Sequence, residues 1–260
     1  MVLLIDGLNL IRRVYAGVAG HGVKAIAEQD INVADVYTSV TRSVARALRR
    51  FEPSHALLVM DSAGTSWRHQ LFAQYKANRG PMPELLANAL ADIEAAVAAI
   101  DVRAVRVDSV EADDVIATIA LGLAGRAVPA MVLSTDKSML ALLAHGVRVY
   151  HHFDSRELDE AYVAERFGIK AAQLPDYLAL AGDSTQNVPG VRGIGSKTAQ
   201  SLLQRFDSLD AVLENLGHLP ARQANAIRNQ IEDLHLYRRI STLRGDIVVG
   251  MNLNDFRLRA

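Results

Sequence analysis

Four short apolar runs, at 2–5, 56–60, 102–107 and 130–134, each lead into acidic residues: Asp6, Asp61, the Glu111-Ala112-Asp113-Asp114 group and Asp136. Runs of this length, rich in Val, Leu and Ile and broken only by Arg103 and Arg106 in the third, suit strands buried in a parallel sheet. A fifth run occupies 147–152. Between the runs the apolar period becomes helical. Val33, Val36, Val40, Val44 and Leu48 follow the capping residue Asn32 and predict a helix to position 51, after a polar, Gly-containing connection at 17–32. Pro83 suits the first turn of a helix running to position 100, and the acidic group at 111–114 opens another to 123. The alternation predicts an α/β domain over 1–158, a mostly parallel central sheet with flanking helices. Beyond it helical segments at 159–167, 174–181, 196–206, 209–215 and 220–243, with a returning strand at 247–251, predict a helical lobe over 159–260.

With 260 residues, half of them hydrophobic, the chain can bury a full core for one large domain and a smaller lobe. A net charge of −1 says nothing about partners, since charges of both signs can be sorted onto different faces. No apolar run reaches the roughly 20 residues of a membrane span, and the N-terminus turns acidic too soon for a signal peptide. A monomeric, cytoplasmic protein without membrane contact is expected. There is no cysteine, so any metal must be held by oxygen or imidazole.

Ligands of open α/β sheets bind outside the carboxyl ends of the strands, where Asp6, Asp61, Glu111, Asp113, Asp114 and Asp136 are expected to gather. Taken singly, each is equally a helix cap or turn residue. Together, like charges at one rim require protons or cations, and an all-oxygen environment suits Mg²⁺. His145, His151 and His152 lie beside the fifth run and read as surface or packing residues.

A second feature lies at 181–198. The turn Pro189-Gly190-Val191-Arg192-Gly193-Ile194-Gly195 permits tight backbone, and Ser196, Lys197 and Thr198 open a helix whose free amides suit a phosphate. An ordinary helix-turn-helix corner is the alternative, and a nucleotide-binding P-loop is disfavoured because Ser196 separates the last glycine from Lys197 and the segment follows a helix and a Pro-containing turn instead of a strand. In segment 62–83, Arg68, Lys76 and Arg79 alternate with Trp67, Phe72 and Tyr75. That mixture suits single-stranded nucleic acid and predicts a protruding segment. A solvated loop with a buried Trp is the alternative.

These pieces, read in order, resemble the 5′-nuclease family. The matching residues are Asp6-Gly7, Val59-Met60-Asp61, Tyr75-Lys76 through Pro83, Glu111 to Asp114, Ser134-Thr135-Asp136-Lys137, and Leu180 to Ala199. The Trp67-Arg68-His69-Gln70 segment and the short length are most similar to the stand-alone bacterial flap endonucleases of that family. The resemblance implies a PIN-like nuclease fold with a helix-hairpin-helix-type (H3TH) motif at 174–206. It also implies a first Mg²⁺ surrounded by Asp6, Asp61, Glu111, Asp113, Asp114 and Asp136, with Asp183 on the side of a second. Residues 62–83 would form an arch over a 5′ strand, with Lys76 and Arg79 acting in catalysis. A potassium ion would be held by carbonyls of Leu180, Ala181, Pro189, Val191 and Ile194. DNA would be touched by Arg68 and by Gly193, Ile194, Gly195, Ser196, Lys197 and Thr198. Polymerase-linked members carry aspartates where this chain has Ser138 and Gln186, both on the second metal site.

The expected function is structure-selective, Mg²⁺-dependent hydrolysis of branched or 5′-flap DNA near its single-strand/duplex junction. The alternative, carried by Ser138 and Gln186, is a flap-binding protein with weak or no nuclease activity.

Overall fold

The computed structural model describes residues 1–20 and 30–259. Strands β1 (Val2–Asp6), β2 (His55–Val59), β3 (Arg103–Val105), β4 (Ala130–Leu133), β5 (Arg148–His151) and β6 (Arg156–Leu158) form one sheet in the order β3-β2-β1-β4-β5-β6. All pairs are parallel except β5 with β6. Helices α1 (Gly7–Ala19), α2 (Val33–Phe51), α3 (Trp67–Leu71), α4 (Glu84–Ala98) and α5 (Ala112–Ala124) join the strands, and a 3₁₀ segment, Lys137–His145, follows β4. The mostly parallel α/β sheet and the helical lobe expected from sequence are both present.

Alternation sorts each central strand between two cores. Leu4, Leu57, Val59 and Val132 face α5 with Val115 and Ile116. Leu3, Ile5, Leu58 and Met131 pack with Val36, Val40 and Val44 of α2 and Ile93 of α4. The first core runs on without interruption into the helical lobe, through Leu174, Leu178 and Leu202.

That lobe comprises α6 (Glu160–Phe167), α7 (Leu174–Ala181), α8 (Ser196–Phe206), α9 (Leu209–Glu214), α10 (Ala221–Arg228) and α11 (Ile231–Ser241). Three expectations need correction. The helix expected over 220–243 breaks between α10 and α11, where Gln230 turns to accept from the Arg192 amide at 2.9 Å. The 247–251 run is not a strand: Ile247 is buried and its amide donates to Thr118 Oγ1 at 3.2 Å, so it packs as an extended strap with no neighbouring strand edge. Segment 62–83 does not protrude throughout, because Arg68 and Tyr75 are buried and its backbone is bonded to the helical lobe. Most of the connection expected at 17–32 lies outside the described residues.

The loop between α7 and α8 is held by contact between two glycine backbones. Gly182 (φ 85°) and Gly190 (φ 72°) both lie in the left-handed region, and a Cβ on Gly190 would sit 2.3 Å from the Gly182 nitrogen. Only the absence of a side chain permits that approach. Gly195, by contrast, faces open space with ordinary extended backbone. Gly190→Ala is therefore expected to lower unfolding free energy by about 2 to 4 kcal/mol, whereas Gly195→Ala changes it by about 1 kcal/mol or less, as read from denaturant melts.

Candidate active site

Parallel pairing brings the ends of the central strands level: Asp6 registers with Val59, two residues before Asp61, and Ile5 with Leu133, three before Asp136. Here the capping and site readings coincide. Asp6 Oδ1 accepts from the Asn9 amide at 3.3 Å and starts α1, and Asp136 Oδ1 accepts from the Ser138 amide at 2.9 Å and starts the 3₁₀ segment. Asp61 Oδ1 accepts from the Ala112 amide at 2.7 Å, capping α5 from a different strand end. Each cap uses one oxygen, and the second oxygens of Asp6 and Asp136 accept from Ser134 Oγ at 2.6 Å and Gln186 Nε2 at 3.3 Å.

Three acidic groups are divided from the rest by their partners. Asp114 is fully buried and takes Arg68 on both oxygens at 2.7 Å, with Trp67 Nε1 at 2.7 Å and the Arg244 amide at 2.9 Å. Glu111 takes Arg68 at 2.8 Å, Lys76 Nζ at 2.6 Å and Tyr75 Oη at 3.2 Å. Asp183 takes Lys137 at 2.7 Å. The structure therefore corrects the expectation for Arg68: it is 2% exposed and its remaining donors go to the carbonyls of Ile240 and Thr242, which leaves it unable to meet DNA. It corrects Asp114 likewise, since every lone pair facing a donor is engaged within the interior. Although burial opposes charge on Arg68, the Asp114 hydrogen bond and nearby carboxylates hold its pKa above the ordinary value. Burial would raise Glu111, yet Lys76 and Arg68 outweigh it and pull it down.

Asp6, Asp61, Asp113 and Asp136 have no ion-pair partner within 4 Å among the described residues. Asp6 is raised to about 7, first by burial and then by the charges of Asp61 and Asp136, against the Ser134 hydroxyl bond at 2.6 Å. Asp113 is pushed well above its usual range by burial, then by Asp136 and Asp6. Among the described residues no three acidic or imidazole groups converge in ready chelating geometry. Mg²⁺ nonetheless fits the donor chemistry, because it retains several waters that can span between carboxylates, and two strained buried acids gain from a cation.

Beside this rim a cleft of about 220 Å³ is lined by Arg12, Asp61, Ser66, His69, Lys76 and Arg79. Lys76 keeps its proton despite burial because Asp113 and Glu111 raise its pKa. Its backbone φ of 54° turns the chain toward the helical lobe, and its amide donates to the Gln186 carbonyl at 2.9 Å. Arg79 reaches the Thr185 carbonyl at 3.2 Å and Gln186 Oε1 at 3.3 Å, and Gln186 Nε2 donates to Asp136 Oδ2 at 3.3 Å. Sequence reasoning missed this bridging role of Gln186 and the pairing of Lys137. Neither follows a local spacing rule.

At the lobe, Gly193, Gly195, Ser196 and Lys197 are exposed and Thr198 is half-buried, so the start of α8 faces solvent without a side-chain cap. Ile194 is buried and offers only backbone. In the preceding turn the carbonyls of Leu180 and Val191 each accept one amide, from Val191 and Ile194 at 2.9 Å, and each retains a lone pair. Ala181 and Pro189 border the Gly182–Gly190 contact.

The fold agrees with comparisons to known proteins. Residues 1–168 match the 5′-3′ exonuclease N-terminal resolvase-like domain and residues 169–260 the 5′-3′ exonuclease C-terminal SAM fold. The chain belongs to the 5′-3′ exonuclease family and is a phosphodiester-hydrolysing nuclease. It is 38% identical to the flap endonuclease Xni of Colwellia psychrerythraea (strain 34H / ATCC BAA-681), over 99% of this chain and 91% of the relative. It is 37% identical to the flap endonuclease Xni of Shewanella amazonensis (strain ATCC BAA-1098 / SB2B), over 99% and 98%. The fold resembles the T5 5′-exonuclease with bound zinc (TM-score 0.76, 20% identity, 92% of this chain and 88% of that one). A more distant likeness is to the catalytic core of Rad2 in complex with DNA substrate (TM-score 0.56, 13% identity, 96% and 83%).

Arg68→Met would leave Glu111 and Asp114 buried with a lost counter-charge, and a destabilisation of about 3 to 5 kcal/mol is expected in denaturant melts. A second expectation follows from Asp6. Its folded pKa of about 7 exceeds the unfolded value of 3.8, so the folded state binds the extra proton between them and this group's contribution to stability falls as pH rises through that window. A divalent cation bound at this rim would relieve the charge and compete with the proton. The rise in Tm on adding Mg²⁺ is therefore expected to be larger at about pH 7.5 than at about pH 5, by calorimetry.

Proposed function

We propose that the chain is a structure-selective 5′-flap endonuclease that hydrolyses DNA near the junction of single strand and duplex, with Mg²⁺ as its cofactor. The observation that carries this reading is the partition of the rim. Among the described residues, Asp6, Asp61, Asp113 and Asp136 have no cationic side-chain partner within 4 Å, while Lys76 and Arg79 stand next to them. The likeness to flap endonuclease Xni over nearly the whole chain supports the same substrate class.

Asp113 and Asp136 are the ligands this reading favours, with Asp6 and Asp61 completing the surround. A divalent ion bound there would polarise the scissile phosphodiester and lower the pKa of water. The chain's own groups do the rest. Lys76, held protonated and steered by Glu111, and Arg79, steered by Gln186, place positive charge where the phosphate gains negative charge. The solvent-facing amides at the start of α8, with Gly193, Ser196, Lys197 and Thr198, seat a duplex phosphate through geometry common to all sequences. Residues 62–83 border the cleft through which the 5′ strand would pass. A potassium ion on the free carbonyl lone pairs of the 180–194 turn would stiffen that seat. The protein would act as a monomer.

The second reading, flap binding with weak or no cleavage, is favoured by Ser138, Gln186 and the engagement of Asp183 by Lys137. A labelled 5′-flap substrate incubated with the chain and Mg²⁺ separates the two. Cleavage near the junction, reduced about a hundredfold or more by Asp113→Ala and about as much by Lys76→Met, is the expected result. Unchanged cleavage by Asp113→Ala would sink the site. Tight flap binding without cleavage would establish the second reading, and the same binding measured in K⁺ and in Li⁺ at equal ionic strength tests the potassium seat.

A further inference from the structure

We infer that a pocket between α3 and α11 seats one nucleotide of the displaced single strand, with its phosphate on Arg239 and its base against Trp67 and Leu71. The inference rests on the 5′-flap substrate proposed above. The pocket measures about 620 Å³, and its lining includes Trp67, Gln70, Leu71, Arg239, Thr242 and Arg244. Sites that hold small organic ligands are of this size. Trp67 is a fixed wall: its Nε1 donates to Asp114 at 2.7 Å, and the buried Arg68 guanidinium lies 4.4 Å from the ring centroid. Leu71 is 37% exposed, one of three large hydrophobic side chains left open to solvent among the described residues. An apolar wall beside guanidinium groups suits the base and phosphate of an unpaired nucleotide.

The charges around the pocket leave one guanidinium free. Arg238 is given to Asp176 at 2.8 Å and to Asp210 at 2.7 Å. Arg244 holds Asp246, the one carboxylate lining the pocket among the described residues, at 2.8 Å and 3.0 Å. Arg239 is exposed, and its side chain has no ion pair or hydrogen bond among the described residues. One free guanidinium matches one phosphate, which it can meet with two parallel bonds. Arg244 can join it, because its pair with Asp246 is exposed and therefore weak, and its guanidinium lies 5.8 Å from the Trp67 ring centroid. The exposed Gln70 side-chain amide, likewise unbonded among the described residues, offers a base both a donor and an acceptor. The position fits a strand that leaves the site. Ser66 and His69 line the cleft beside the carboxylates, whereas Trp67, Gln70 and Leu71 line this pocket, so the short helix α3 is the wall between them. A helix is about 10 Å across, a distance that a single strand spans within a few nucleotides. Paired bases of a duplex are closed to such a pocket, so it distinguishes the flap from the duplex arms.

Trp67 is the one tryptophan of the chain, so its fluorescence reports on this pocket. Three probes are titrated into the full chain at fixed ionic strength without divalent ion: a duplex with a short 5′ thymidine flap, the same duplex nicked but without a flap, and thymidine monophosphate. The flap substrate is expected to change Trp67 fluorescence saturably, and the nicked duplex to leave it unchanged. Arg239→Glu is expected to weaken flap binding about fivefold or more while the nicked duplex stays within about twofold of the natural chain. Lys197→Glu, at the duplex seat, is expected to weaken both. Equal effects of Arg239→Glu on the two DNAs, or flap binding that leaves Trp67 silent, would overturn the inference. Saturable quenching by thymidine monophosphate with no response to the flap would assign the pocket to free nucleotides and overturn it as well. Flap binding untouched by Arg239→Glu sinks the pocket alone, whereas no binding of either DNA sinks the substrate reading with it. Cleavage is not the readout, so a chain that binds the flap without cutting it removes the nuclease proposal and leaves the pocket standing.

Discussion

The ion cluster of Arg68 with Glu111 and Asp114 is the interaction on which the arrangement of this protein depends. It joins α3, the N-terminus of α5 and the end of α11 in one enclosed network with 2.7–2.8 Å contacts. Taking three charges out of water is costly, and the attraction between them repays that cost only when geometry and hydrogen bonding are nearly complete. Here Trp67, Tyr75, Lys76 and the Arg244 amide supply the remaining bonds. The effect is specificity of placement. Two acids of the rim are neutralised internally, and the acids without such partners are thereby defined.

The helix caps extend the same economy. Asp6, Asp61 and Asp136 satisfy the first amides of α1, α5 and the 3₁₀ segment, so they stabilise the fold before any ligand is considered. Burial then drives Asp6 up toward neutrality, a strained condition that a cation would relieve. The side chains that cap these helices are thus the same ones the proposed chemistry would use.

Much of this was legible in the sequence. The apolar runs located β1, β2, β4 and β5 to within one or two residues, and their acidic ends located the rim. Gly190 and Gly193 marked a turn that only glycine fits, with φ of 72° and 96°. What stayed hidden was long-range partnership. Arg68 looks like any surface cation in an aromatic and basic stretch, and only the docking of α11, some 170 positions away, closes it off. Strand β6, Arg156–Leu158, carries one buried residue and no apolar run, because it sits at an antiparallel edge. At the break between α10 and α11, Gln230 bonds the backbone of Arg192, a long-range contact that no helical period reports.

Gln186 has a mechanical meaning beyond its hydrogen bonds. Its carbonyl holds the Lys76 amide, its side-chain oxygen holds Arg79 and its side-chain nitrogen holds Asp136, while Asn78 and Asn187 tie the same two segments at 2.7 Å and 2.6 Å. The loop that leads into α8 is therefore a strut between the lobe and the segment carrying both cations. Load applied to the lobe by a bending duplex would be transmitted along that strut to the cleft, so grip and charge placement would move as one lever.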